Sequence, residues 1–245
     1  MLIKMLIYWF SIALFVQCEC FNIENDVEAS NIAAVQYNDH DKIRPCSHFD
    51  LNCIRAYFKQ HSSCVVSHGP VPDPLKLQNI IFHLPHANMS FVLRNSNVGG
   101  LNGKVVEFYV NKKTHKLVLA AEMKEVTLES SQMIAKYSRK AKEPIELNDG
   151  VSGNYGTITF TTVFPDMTNL YLAEAETNSY IEDSNVKYYI GPKMSTSAEV
   201  AVSDSFDRVR KNLGLDLQEG FVFLGPIFMA NFIQYNICDF GIKYG

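Results

Sequence analysis

Between residues 80 and 202 the apolar side chains fall repeatedly on alternate positions, and a chain with that period must build β-sheet. Ile80, Phe82 and Leu84 alternate, then Met89, Phe91 and Leu93. Val106, Phe108 and Val110 are followed by Leu117, Leu119, Ala121 and Met123 across Asn111-Lys112-Lys113-Thr114, which reads as an antiparallel hairpin. Over residues 157–164, Ile158, Phe160 and Phe164 share one face and threonines dominate the other. Leu170/Leu172, Val186/Tyr188/Ile190 and Ala198/Val200/Val202 extend the series. About eight strands, each apolar on one face, make an antiparallel sheet that must curl or pack on something.

The C-terminus is expected to supply that partner. Ser205 reads as an N-cap before Phe206, Val209 and Leu213 at helical spacing, and Phe221, Leu224, Phe228, Phe232 and Tyr235 repeat the period. Apolar residues surround most of this helix, as expected of one buried in a sheet's concavity. Asn231, Gln234 and Asn236 argue against a membrane span. Gly214, Gly220 and Gly225-Pro226 are expected to break the element into two or three pieces. Upstream, Asp50 caps a short amphipathic helix with Leu51, Ile54 and Phe58 on one face and Tyr57 beside them. Residues 69–74 hold three prolines and cannot be helical. In residues 130–149 the spacing of Met133, Ile134 and Tyr137 is as helical as it is extended.

Residues 1–20 carry one cation, Lys4, then an apolar run over residues 5–16, then small side chains at Cys18 and Cys20 before Phe21. This is the form of a secretory signal peptide; the run is shorter than the about 20 residues that span a bilayer. Residues 21–42 are polar and acidic without a sustained period and read as a mobile arm, leaving residues 43–245 as one domain. In an oxidising compartment the cysteines beyond the signal, Cys46, Cys53, Cys64 and Cys238, default to disulfides. Cys46–Cys53 is the favoured pair, because Pro45 and Asp50 mark a turn into the helix and the two lie close in sequence. Cys64 and Cys238 are then either a second bridge or two buried thiols. Asn88-Met89-Ser90 is a glycosylation sequon, which predicts a surface position for Asn88.

A net charge of −4 without a basic block removes the footprint of a nucleic-acid binder. The sequence holds no nucleophile elbow, zincin helix, phosphate loop or dinucleotide glycine pattern, and no paired carboxylates in an apolar context. It therefore reads as no enzyme and as needing no cofactor. Gly99-Gly100-Leu101-Asn102-Gly103 reads as a turn, without the following helix that phosphate binding requires. His61, Cys64, His68, His83 and His86 lie at metal-like spacings, but prolines interrupt them and no carboxylate or second cysteine pair completes a set. They read as surface or structural histidines, with no metal.

Four features in order resemble the takeout and juvenile-hormone-binding-protein family of insect secreted lipid carriers. They are the signal peptide, Cys46-x6-Cys53-Ile54 opening a helix, Pro72-Asp73-Pro74-Leu75 after Gly69, and Asn95-x5-Leu101 leading into the hairpin with its Lys112-Lys113 turn. The match is good over about residues 43–125 and by pattern elsewhere. The resemblance implies an α+β fold: an elongated, strongly curved antiparallel sheet wrapped around a long C-terminal helix, here broken, with a short disulfide-tied N-terminal helix. It implies an internal tunnel for a small apolar ligand, a juvenile-hormone-like terpenoid or a fatty lipid, with Ile54, Tyr57 and Phe58 at its gate. Phe91, Leu93, Phe108, Val110, Phe160, Phe164 and Phe228, on the inward strand faces and the last helix, would line it. The expected function is an extracellular carrier, with a receptor or membrane acceptor as a further partner. The alternative is a secreted interaction or signalling protein of the same fold, filled inside and acting through its surface.

Overall fold

A computed structural model describes residues 39–182 and 186–243; the signal peptide and most of the polar arm lie outside the described residues. A 3-10 turn at Asp39–Asp41 leads into β1 (Lys42–Ile43), and helix α1 (Leu51–Gln60) follows. Asp50 caps α1, its carboxylate accepting from the Asn52 N–H at 3.0 Å, and Ile54 and Phe58 face the core. Then come β2 (Val65–Val66), β3 (Leu75–Leu84), β4 (Met89–Gly99), β5 (Lys104–Asn111), β6 (Lys116–Met123), β7 (Thr127–Arg139), β8 (Lys142–Asn154), β9 (Ile158–Phe164), β10 (Glu176–Ile181) and β11 (Lys187–Ile190). The short helix α2 (Pro192–Ser195), α3 (Val200–Lys211), the long α4 (Leu213–Asn236) and β12 (Cys238–Asp239) complete the order.

The class is the expected one, α+β with antiparallel sheet, a long C-terminal helix and an N-terminal helix tied by Cys46–Cys53. The strands divide between two five-stranded sheets, ordered β1-β5-β6-β9-β10 and β11-β8-β7-β4-β3, with β12 paired to β2. The β5–β6 hairpin forms as read from sequence: the Asn111 side-chain oxygen accepts from the N–H groups of Lys113 and Thr114 at 3.0 and 3.1 Å. A bulge between Val105 and Glu107 shifts the register, so Val105 rather than Val106 joins Phe108 and Val110 inside. Residues 130–149 resolve as extended, in the long hairpin of β7 and β8. Gly100 turns the chain at φ +77°, where an added Cβ would lie 2.6 Å from the Glu125 carbonyl oxygen.

Four expectations for the second half change, the last in part. Ala198, Val200 and Val202 are not strand, because Val202, Phe206 and Val209 share the buried face of α3, whose N-cap is Glu199. Ser205 therefore sits inside that helix and not at its start. Leu170 is a buried loop residue and Leu172 opens a 3-10 turn. The C-terminal element breaks into two pieces beside Gly214, where α3 and α4 meet at 92°, but α4 then runs unbroken through Gly220 and Gly225-Pro226. Pro226 removes one helical N–H, and the residue four positions earlier, Val222, is exposed, so water can satisfy the freed carbonyl.

Helix α4 packs on β3 and β10, one edge strand of each sheet, and so covers one open edge of each. A Cβ at Gly225 would collide with the Ser179 hydroxyl of β10, so glycine there sets how closely the helix approaches. Phe228, Phe232 and Ile233 are fully buried, and each such side chain contributes roughly 1.5–3 kcal/mol of transfer free energy. The second disulfide, Cys64–Cys238, fastens β12 to β2 just beyond the end of α4. Among the described residues no single helix is long and apolar enough to cross a membrane.

Candidate functional site

The residues expected to line a tunnel are buried. Ile54, Phe58, Phe91, Leu93, Phe108, Phe160, Phe164 and Phe228 are at most 2% exposed, Val110 is also in the core, and Tyr57 is half-buried. Their aromatic members are spread over three packed clusters. Phe58 meets Phe164 edge-on at 5.5 Å and Phe108 at 6.4 Å, and Tyr57 meets Phe108 edge-on and stacks on His61 at 4.1 Å. The Tyr57 hydroxyl donates to the Met167 carbonyl at 3.1 Å, and burial, with the Asp166 charge, raises its pKa. Phe160 and Phe228 meet at 6.4 Å, and both touch Phe221, which is edge-on to Tyr155. Phe91 stacks on Phe82 at 5.1 Å.

Beside this last pair lies a cavity of ≈ 70 Å³ between β3, β4, β7 and β8 on one side and α4 on the other. Phe82, Leu84, Met133, Leu217 and Leu224 are among its lining, and of the ten expected lining residues Phe91 reaches it. Tyr155 also lines it, and burial pushes its phenol up to about 12, so it stays protonated.

At the rim of this cavity three polar side chains converge. Asp216 and Glu219 stand three residues apart on α4 and therefore on one helix face. His86 comes from the 3-10 turn Pro85–Ala87 that joins β3 to β4. Its Nε2 lies 3.0 Å from Asp216 Oδ1 and its Nδ1 2.9 Å from Glu219 Oε2. The turn is held from the other side by the Ser205 hydroxyl, which donates to the Ala87 carbonyl. Asp216 is 6% exposed; burial raises its carboxyl to about 6, with His86 opposing the rise and Glu219 adding to it. A carboxylate pair thus does stand in an apolar context. Its trace in the sequence is two acids at i, i+3 on a helix apolar nearly all round. The other residues of the histidine group are dispersed: Cys64 is disulfide-bonded, His61 stacks on Tyr57, and His83 lies edge-on to Phe223.

The family model for Fibroin P25 matches residues 42–242. The chain belongs to the Fibroin P25 family. Fibrohexamerin of Galleria mellonella is 27% identical over 203 residues, covering 82% of this chain and 90% of that protein. The crystal structure of Takeout 1 from Epiphyas postvittana is similar at a TM-score of 0.43 and 15% identity, covering 76% of this chain and 91% of that one. At that level the likeness assigns neither family nor ligand, so the takeout resemblance gives way to membership in Fibroin P25. The matched span begins at the first residue of β1 and ends three residues past β12. Both sheets, both disulfides, α4 and the His86 cluster thus lie within the Fibroin P25 unit.

Proposed function

We propose that this Fibroin P25 protein is a secreted, non-catalytic component of silk that associates with other silk proteins through its surface, its interior being filled by its own side chains. The packing of that interior carries the reading. The aromatic residues that a tunnel would expose touch one another instead, and the apolar cavity beside them beneath α4 holds ≈ 70 Å³; a larger hollow of ≈ 550 Å³, between β3 and the end of α4, is lined mostly by polar side chains and by none of them. Small-molecule sites run to about 300 Å³ and more. The family's name is that of a fibroin, and its relative Fibrohexamerin bears the name of a six-part assembly; both favour association over transport. Val222 and Phe223 are exposed on α4, Phe223 edge-on to His83 of β3, and Ile81 is exposed on the same strand; these side chains offer a contact surface. Asn88, exposed in the turn between β3 and β4, serves as its N-glycosylation site.

A carrier for a terpenoid or fatty lipid is the second reading. It is favoured by the apolar lining of the cavity and requires α4 to move outward. Co-secretion with silk fibroin chains, followed by size-exclusion chromatography and lipid extraction with mass spectrometry, separates the two. The expected result is co-elution with fibroin and no stoichiometric lipid. A monomer that ignores fibroin and releases one lipid per chain would overturn the proposal in favour of the carrier.

A further inference from the structure

We infer that His86, Asp216 and Glu219 form a binding site for a divalent cation, with a donor set suited to Zn²⁺. One ligand atom from each residue falls within 4.8 Å of the others. Both carboxylate oxygens of Asp216 and the Nε2 of His86 are buried without a hydrogen-bond partner. The 3.0 Å approach between these two side chains therefore brings them together without satisfying either group directionally. A buried carboxylate that accepts no hydrogen bond is costly, and a cation in the cluster would satisfy its two oxygens together with the imidazole lone pair.

The charges balance, since two carboxylates and a neutral imidazole offset a divalent ion. One nitrogen and two carboxylates, with water as the fourth ligand, is a tetrahedral set of the zinc type, whereas calcium takes six to eight oxygens. The frame is largely built before any ion arrives, the one adjustment being that Glu219, whose Oε2 lies 2.9 Å from His86 Nδ1, turns from that nitrogen to the ion. Asp216 and Glu219 are fixed at helical spacing, and the turn that bears His86 is gripped by Ser205, whose own hydroxyl accepts from Arg208 at 3.2 Å. A bound ion would cross-link the β3–β4 turn to α4 at the rim of the apolar cavity and hold the helix against the sheet.

The test uses the full secreted protein, stripped with EDTA, dialysed and titrated with ZnCl₂ by calorimetry and with CoCl₂ by visible absorption. Expected are one ion per chain, the intense absorption of tetrahedral Co²⁺ and a higher Tm with zinc. His86→Gln and Glu219→Gln, the latter replacing a partly exposed side chain, should keep the circular dichroism of the fold and weaken zinc binding by about tenfold or more. His83→Gln, three residues away and outside the cluster, should bind as the parent does. The inference is overturned if the folded parent protein takes up no zinc, if His86→Gln and Glu219→Gln bind it as the parent does, or if His83→Gln loses it equally. Calcium bound as tightly as zinc would overturn the assignment of the metal.

Discussion

Asp216 sits in the first turn of α4, where the helix dipole favours a negative charge, yet burial outweighs that help and holds its carboxyl at about 6 against the ordinary 3.8. Between those two values the folded protein binds more protons at this group than the unfolded chain does. Stability therefore falls as pH rises from about 4 to about 6, and the group's contribution is fully present only below that window. The difference amounts to at most about 3 kcal/mol. Asp216→Asn, neutral throughout, should remove this slope, as read from urea midpoints across the window in the presence of EDTA. Equal slopes in parent and variant would show that the burial of Asp216 has no such effect. Residues governed by local rules are legible in the sequence: the Asp50 cap and the exposed Asn88 needed only their neighbours. Asp216 was not legible, because its environment is made by His86 across more than a hundred residues of chain.

At the scale of elements the two disulfides do different work. Cys46–Cys53 closes a separation of 7 residues at the start of α1, whereas Cys64–Cys238 closes one of 174 and fastens β12 to β2. Loop-closure entropy puts the first at about 2.5 kcal/mol and the second at about 5 kcal/mol. The double variant Cys64→Ser/Cys238→Ser should accordingly lose about 2–3 kcal/mol more than Cys46→Ser/Cys53→Ser in chemical denaturation. Equal losses would mean that α4 packing alone anchors the C-terminus. Elements with a clear period were legible, the β5–β6 hairpin above all. Strand β10 was not, since Glu176–Ile181 is mostly polar and is held in place by pairing with β9. The Ala198/Val200/Val202 series misled because three apolar residues at i, i+2, i+4 fit either state until Phe206 and Val209 fix the helical face.

For the whole molecule, the pattern of strands and one apolar helix sufficed for the α+β class, but not for the division into two sheets. That division depends on β4 choosing β7 and β6 choosing β9, pairings between strands distant in sequence. The division matters for function, because α4 closes over an edge of each sheet and an apolar cavity of ≈ 70 Å³ lies beneath it. Gly220 lines that cavity from inside α4, and an added Cβ would meet Phe82 Cδ2 at an ordinary 3.9 Å. Alanine there removes the helical penalty of glycine, roughly 0.5–1 kcal/mol, and places a methyl group in unoccupied space without displacing a neighbour. If the interior is a packed core, Gly220→Ala should stabilise the protein by about 1 kcal/mol and leave co-elution with fibroin unchanged. If the cavity is the closed form of a lipid site, the same methyl group narrows it, and the variant should lose extractable lipid while becoming more stable. Denaturation and lipid extraction on one pair of proteins thus separate a stabilised core from an obstructed carrier.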